Sequence, residues 1–402
     1  MALSQEAHRL SDTTRLLAAI GFTVFAVLTA LSMLGPLLVD MSQDWTTTVP
    51  VVAQLVTAAA VAWAITALVV GPFSDAYGRK PILLTGVLLM SLASIGTALA
   101  PNLATAAVFR VLAGVGGGMV PPTCIAMIGD IVSVERRAMG VAVVTTQPGL
   151  SSVLGVPLVT LLAAYAGWRA AFFAVGGILL LCAVVLLIYT PQRQGQRKPL
   201  VLGTRLKQVG RFSVTWLLAL TNLTVRTAYG LIMTFFPSFL QVTYGLSTAE
   251  LALPISIVAV GTTCGLFLGG KIGRSPHRLS LVAITILIAT LPGLAVFVVN
   301  DQLWLTVAVT SLFMVLVMPL ATLLFVVGTE VGGTARGTLT GILSGSGYVS
   351  YAVGAGIGGL AVAHIGYSAL SFALVASTIG SSILLTFFIR TKAEDRARGY
   401  FQ

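Results

Sequence analysis

The sequence predicts an all-α integral membrane protein of twelve transmembrane helices arranged as two six-helix repeats. Three observations predict it. Of the 402 residues, 57% are hydrophobic and only 9% are charged, where a soluble protein carries about 25% charged residues. Twelve apolar runs meet the roughly 20 residues that a bilayer requires. They lie near 16–39, 49–70, 81–100, 103–128, 138–163, 170–189, 212–240, 250–270, 279–299, 303–328, 338–363 and 368–389. A single offset of 199 residues then carries Gly71 onto Gly270, Arg79 onto Arg278, Gly129 onto Gly328, Arg137 onto Arg336 and Gly155 onto Gly354. One constant shift that catches five landmarks argues for duplication.

Taken in order, the first run is too long for the apolar core of a cleavable signal and is read as helix 1 of the mature protein. The second and third runs are joined by residues 71–81, where two glycines, an acid and two bases are read as a tight turn. Pro81 can open the next helix, where its missing N–H does no harm. Between runs four and five stand Asp130, Glu135, Arg136 and Arg137, with Glu330 and Arg336 as weaker counterparts in the second half. The longest connection, 190–211, is polar and basic and reads as a cytoplasmic linker. The expected domains are therefore 1–189, the linker 190–211, and 212–402. The second copy has lost part of the charged loop: Asp75 maps to Arg274 and Gly78 to His277.

The net charge is +11, and the placement of the bases decides its meaning. With the N-terminus cytoplasmic, 20 of the 23 bases fall on the cytoplasmic side. That is the positive-inside pattern of a multi-pass protein of the cell membrane with both termini inside; it does not indicate nucleic-acid binding. Cys124, Cys182 and Cys264 all lie in apolar runs without a CxxC pair, and read as small buried hydrophobes. His8, His277 and His364 are scattered and form no ligand set.

The loop pattern Gly71-x-x-x-Asp75-x-x-Gly78-Arg79-Lys80 resembles the signature between helices 2 and 3 of the major facilitator superfamily, except that Ala76 stands where a base is usual. Residues 154–173, with Leu154, Gly155, Pro157, Leu158, Gly167, Trp168, Arg169, Ala170 and Phe172, resemble the arabinose-efflux-permease-like branch of the twelve-span drug:proton antiporters. Arg110 and the glycines 114–118 resemble the superfamily's helix 4 arginine motif. The stricter helix 5 antiporter motif is broken: Gly140 and Gly149 fit, but Val153-Leu154 stand where it has Gly-Pro. The resemblance implies the major facilitator fold, alternating access and export. It implies a cytoplasmic gate of Gly71, Asp75, Gly78, Arg79, Lys80, Asp130 and Arg137. In that gate Asp75 faces the N-terminus of helix 11, near 337–339, and Arg79 pairs with Asp130. A carboxylate at a helix N-terminus is favourable by about 0.3–1 kcal/mol when exposed.

The candidate substrate or coupling residues are polar groups in apolar runs. A base at mid-membrane costs about 2.5–3.5 kcal/mol on the insertion scale and must face a partner or a wet cavity. Arg110 and Arg226 are two such bases, and no acid lies deep in a span. For Arg110 two readings stand side by side: a structural base bonded to helix carbonyls, and a member of the substrate or coupling site. Arg226 has Val27 as its repeat counterpart, so it is an addition to the scaffold. Asn222, Arg226 and Tyr229 share one helical face, which reads as cavity lining. Gln54, Trp63, Gln147, Tyr348 and Tyr351 are further polar or aromatic candidates, with plain core packing the commoner fate of single aromatics. Asp40, at the outer end of helix 1, is the acid best placed to carry a proton; an interfacial loop acid is the bland alternative.

A secondary active transporter is the reading that these features support, exporting a small metabolite or drug-like solute. The alternative is an importer, facilitator or exchanger of an organic anion. An enzyme is disfavoured: there is no HExxH, GxSxG, P-loop or intramembrane acid pair. A permease subunit of an ATP-driven pump, or a receptor, explains neither the charged loop nor the duplication. No cofactor is expected; proton coupling stays an open alternative, weakened by the lack of an acid deep in a span. The expected partners are a small-molecule substrate and the lipid bilayer, with no nucleic acid, and the protein is expected to act as a monomer.

Overall fold

The computed structural model describes residues 2–191, 213–299, 301–331 and 336–390, of which the side chains of 2–13, 134, 135, 138, 213, 331, 336–338 and 390 lie outside the description. Most of the linker expected at 190–211 is therefore outside it. All regular structure among the described residues is helical. The helices are α1 (Ala2–Ser32), α2 (Leu34–Asp44), α3 (Val49–Tyr77), α4 (Arg79–Leu99), α5 (Leu103–Ile131), α6 (Val134–Thr145), α7 (Gln147–Leu150), α8 (Val156–Ala166) and α9 (Trp168–Tyr189). After the linker follow α10 (Ser213–Tyr244), α11 (Ala252–Ile272), α12 (Arg278–Ala295), α13 (Leu303–Val331), α14 (Arg336–His364) and α15 (Ser368–Arg390).

Among the described residues, eleven of the expected spans are long and apolar enough to cross a membrane. The remaining one, within α10, is long enough at 32 residues. Its Asn222, Arg226 and threonines leave it less apolar than the others. Membrane helices must satisfy their own backbone groups, and the exterior they present is apolar: Leu181, Phe267, Leu291 and Ile383 are all exposed.

The internal repeat is visible in the helix boundaries. Arg79–Leu99 corresponds to Arg278–Ala295, Leu103–Ile131 to Leu303–Val331 and Trp168–Tyr189 to Ser368–Arg390, with starts 199 or 200 residues apart. Packing defines two compact units, the described residues of 1–33 with 61–200 and those of 34–60 with 201–402. In the first, α4 packs on α5 and α9, and α1 on α9. In the second, α11 packs on α13, α10 on α14, α12 on α15, and α2 on α10. The segment 34–60 thus packs with the later part of the chain, although it belongs by sequence to the first half.

The helix boundaries depart from the apolar runs in three places, for stated reasons. Helix 1 is not one run over 16–39: α1 stops at Ser32 and α2 begins at Leu34, because the ring of Pro36 clashes with the carbonyl four residues back, that of Ser32. The fifth span is broken into α6, α7, a π-helical turn at Ser151–Gly155 and α8. Pro148 and Pro157 displace the carbonyls of Val144 and Val153 in the same way. Helix α3 does not end at residue 70 but continues to Tyr77 with Pro72 inside it. The tight turn read at 71–81 therefore shrinks to Gly78, whose φ is 98°. Cys264 is exposed, on the same face as exposed Phe267, and is not the buried hydrophobe expected.

Candidate functional site

The charged loop is built on the end of α3 and the start of α4. Asp75, in the last turn of α3, and Arg79, the first residue of α4, form an ion pair. Arg79 also donates through Nε to Asp130 Oδ2 at 2.9 Å and through Nη1 to the Ser74 hydroxyl at 3.1 Å. One guanidinium thus joins α3, α4 and the foot of α5. Asp75 and Asp130 remain about half exposed, at 50% and 45%. Lys80 turns elsewhere and caps the end of α9 by donating to the carbonyls of Leu187 and Thr190, both at 2.8 Å. Arg137 donates to the Val132 carbonyl at 3.1 Å, and so braces its own loop. An added Cβ at Gly71 would meet nothing within 4 Å. The side chains of Glu135, Arg336 and Thr338 lie outside the described residues. In the second unit Arg278 grips Glu330 with both nitrogens, at 2.8 and 2.6 Å, repeating the Arg79–Asp130 pair.

The second constellation lies between α10 and α14. Asn222 is fully buried and donates its amide to the Leu343 carbonyl and the Ser346 hydroxyl, both at 2.8 Å. A backbone carbonyl only accepts, so this contact fixes the amide nitrogen towards α14. The buried Oδ1 of Asn222 is left without a partner. Four residues on, Arg226 is only partly buried. Among the described residues its guanidinium has no ion pair and no hydrogen bond. Tyr229 and Tyr348 are the titratable groups close enough to act on it electrostatically. The stem of Arg226 lies against Gly347, where an added Cβ would sit 3.1 Å from Cδ and 3.5 Å from Nε. The Tyr229 ring stands 6.1 Å from that of Tyr351 at 50°.

The structure therefore groups Asn222, Arg226 and Tyr229 with Gly347, Tyr348 and Tyr351. Asn222 itself acts as a fastener between helices, with Arg226 and Tyr229 as the more accessible members of the face. Gln54 and Gln147 do not join this group. Each turns its amide onto a carbonyl of its own helix, Pro50 at 3.4 Å and Val143 at 2.6 Å. Trp63 is wholly buried. Arg110 is buried too, and it reaches no helix carbonyl among the described residues. Its Nε donates to the Thr97 hydroxyl at 3.2 Å, its guanidinium carbon lies 4.9 Å over the Phe172 ring, and its Nη2 has no partner. Asp40, on α2, accepts from the Thr248 hydroxyl at 3.1 and 2.9 Å, and Thr248 in turn accepts from the Gln241 amide at 3.2 Å. Burial pushes the Asp40 carboxyl above its ordinary value, partly offset by the Thr248 hydrogen bond.

Four residues here escaped sequence reasoning. Gly347 and Ser346 matter only because α14 passes close to α10, and Thr97 and Thr248 are single hydroxyls among many. No spacing or motif marks any of them.

The fold and the charged loop agree with a match to a family model, the Major Facilitator Superfamily, over residues 20–335. The chain belongs to the major facilitator superfamily. It is accordingly a multi-pass membrane transporter of the secondary type and not an enzyme. The uncharacterised MFS-type transporter YceJ of Bacillus subtilis is 24% identical over 84% of this chain and 86% of its own length. The gallate transporter of Pseudomonas putida is 31% identical, but over only 39% of this chain and 34% of its own. The probable sulfoacetate transporter SauU of Cupriavidus necator is 22% identical over 79% of this chain and 80% of its own. Among solved structures, a bacterial homologue of the human lysosomal transporter Spinster, inward-facing and occupied, superposes with a TM-score of 0.73 at 17% identity, covering 97% of this chain and 96% of that one. At that identity the likeness is one of fold.

Proposed function

We propose that this transporter moves a small organic anion by alternating access, with Arg226 as the charge that receives it. The observation that carries the reading is a partly buried guanidinium within an apolar bundle that has no carboxylate or hydrogen-bond partner among the described residues. A low dielectric around such a group strengthens its attraction to an anion and its repulsion of a cation. The planar fork suits a carboxylate, sulfonate or phosphate. The named relatives are called after a gallate and a sulfoacetate, one aromatic anion and one aliphatic, which supports the charge and leaves the ring open. The resemblance of residues 154–173 to exporters supports outward transport. The positive-inside pattern supports cytoplasmic termini, the Asp75–Arg79–Asp130 loop acts as the gate on that side, and Asp40 carries the coupling proton.

The test is transport by the purified protein in liposomes, with and without a pH gradient, against organic anions, sugars, nucleosides and cationic drugs. Anions are expected to move and permanent cations are not. Arg226→Lys keeps the charge but loses the fork, so affinity for the anion should fall while the protein still folds. Wild-type binding by both Arg226→Lys and Arg226→Gln, or robust transport of a quaternary ammonium drug, rejects the reading.

A further inference from the structure

The same face of α10 carries an aromatic element beside the cation. Tyr351 is only 7% exposed and is fixed behind Tyr229, whose ring it meets at 6.1 Å and 50°. Tyr229 itself is only partly buried, like Arg226. Its ring is thus backed on one side by Tyr351 and is not wholly enclosed. Among the described residues its hydroxyl makes no hydrogen bond. Residues 226 and 229 are three apart on one helix, a rise of about 4.5 Å.

We propose that the site selects aromatic carboxylates over aliphatic anions of the same size, with the carboxylate on Arg226 and the ring against Tyr229. The proposal rests on the anion reading of Arg226 and adds the substrate's ring to it. Two aromatic rings prefer offset or edge-to-face contact because each face is electron-rich and each edge electron-poor. A saturated ring of equal volume gains burial but not that term. The tyrosine pair is also preorganised: one member is buried and fixed, so little freedom is lost when a third ring arrives. An aliphatic anion would satisfy Arg226 equally well and gain nothing from the tyrosines beyond burial.

The experiment is binding of radiolabelled benzoate to the purified full-length protein in liposomes, with competition by cyclohexanecarboxylate. The two acids share a charge and nearly a size, and only the first has a π face. Benzoate should bind about 3- to 10-fold more tightly. Tyr229→Leu should bring the two acids level, and Tyr229→Phe should keep the preference. Equal affinity of wild type for the two acids overturns the ring selectivity and leaves the anion site standing. A preference that survives Tyr229→Leu, or is lost in Tyr229→Phe, removes the Tyr229 ring from the proposal. Binding of neither acid overturns the aromatic-carboxylate assignment and leaves the anion reading to its own panel, whereas benzoate binding that is unchanged in Arg226→Gln overturns the anion reading together with this one.

Discussion

Two glycines separate positioning from packing at the level of single residues. At Gly347 a methyl group would press on Arg226 Cδ at 3.1 Å, the flexible stem of a long side chain. At Gly230 it would press on Tyr351 Cα at 3.0 Å and its carbonyl oxygen at 3.2 Å, which are backbone atoms and cannot swing aside. Gly347→Ala should therefore leave the melting temperature nearly unchanged and weaken anion binding by about 1 kcal/mol, roughly fivefold, because the fork is displaced. Gly230→Ala should overpack the α10–α14 contact and destabilise by about 1–3 kcal/mol. Melting in detergent and binding of a labelled anion, measured on both variants, check this; the reverse pattern would mean that Gly347 only packs. Legibility at this scale was uneven. Arg226 stood out because a base in an apolar run is costly. Gly347 did not, because its importance comes from which helix passes which, and no local pattern encodes that. Asn222 was visible as a polar residue, yet its burial against Leu343 and Ser346 depends on the same crossing.

Among the elements, the charged loop joins three helix ends through one arginine. Its acids are about half exposed, and ion pairs of that kind are worth about 0–1 kcal/mol in stability. A structural role alone therefore predicts mild effects on both stability and transport. A gating role predicts something else: Asp75→Asn should melt within a degree or two of wild type and yet lose transport, since the shape remains and the charge is gone. Normal transport by that variant would reduce Asp75 to a helix-end acid. The pattern of the loop was readable because its residues are contiguous, and its boundaries were not. Prolines stand inside helices at Pro72, Pro121, Pro122, Pro237, Pro292 and Pro319, and just after breaks at Pro36, Pro148 and Pro157. Helix α3 runs through Pro72 and α5 through Pro121 and Pro122, whereas the chain breaks at Pro36 and Pro148. In each case one backbone hydrogen bond is lost, and whether the helix bends or breaks depends on what neighbouring helices supply. Propensity alone gives the same answer for all nine.

For the molecule as a whole, the duplication was legible at a shift of 199, and the helix boundaries repeat it. The function lies where the copies differ. Arg226 is matched by Val27, and Asp40 by Phe239, so neither group is part of the common scaffold. Asp40 is held by Thr248 and, through it, Gln241. Burial raises its carboxyl above the ordinary value of 3.8, which means that the folded protein holds this proton more tightly than the unfolded chain does. The sign of the consequence is fixed by linkage. The contribution of Asp40 to stability is fully present below the unfolded value and is lost as pH rises through the raised folded value. At neutral pH the half-buried charge is a burden that an asparagine of the same shape does not carry. Asp40→Asn should therefore melt no lower than wild type at pH 7, and any advantage should shrink as the pH falls towards 4. If the same proton drives transport, the variant should still exchange labelled anion across the membrane while no longer responding to an imposed pH gradient. A gradient response equal to that of wild type would move the coupling proton elsewhere, and a lower melting temperature at pH 7 would show that the charged form of Asp40 is the one the fold prefers.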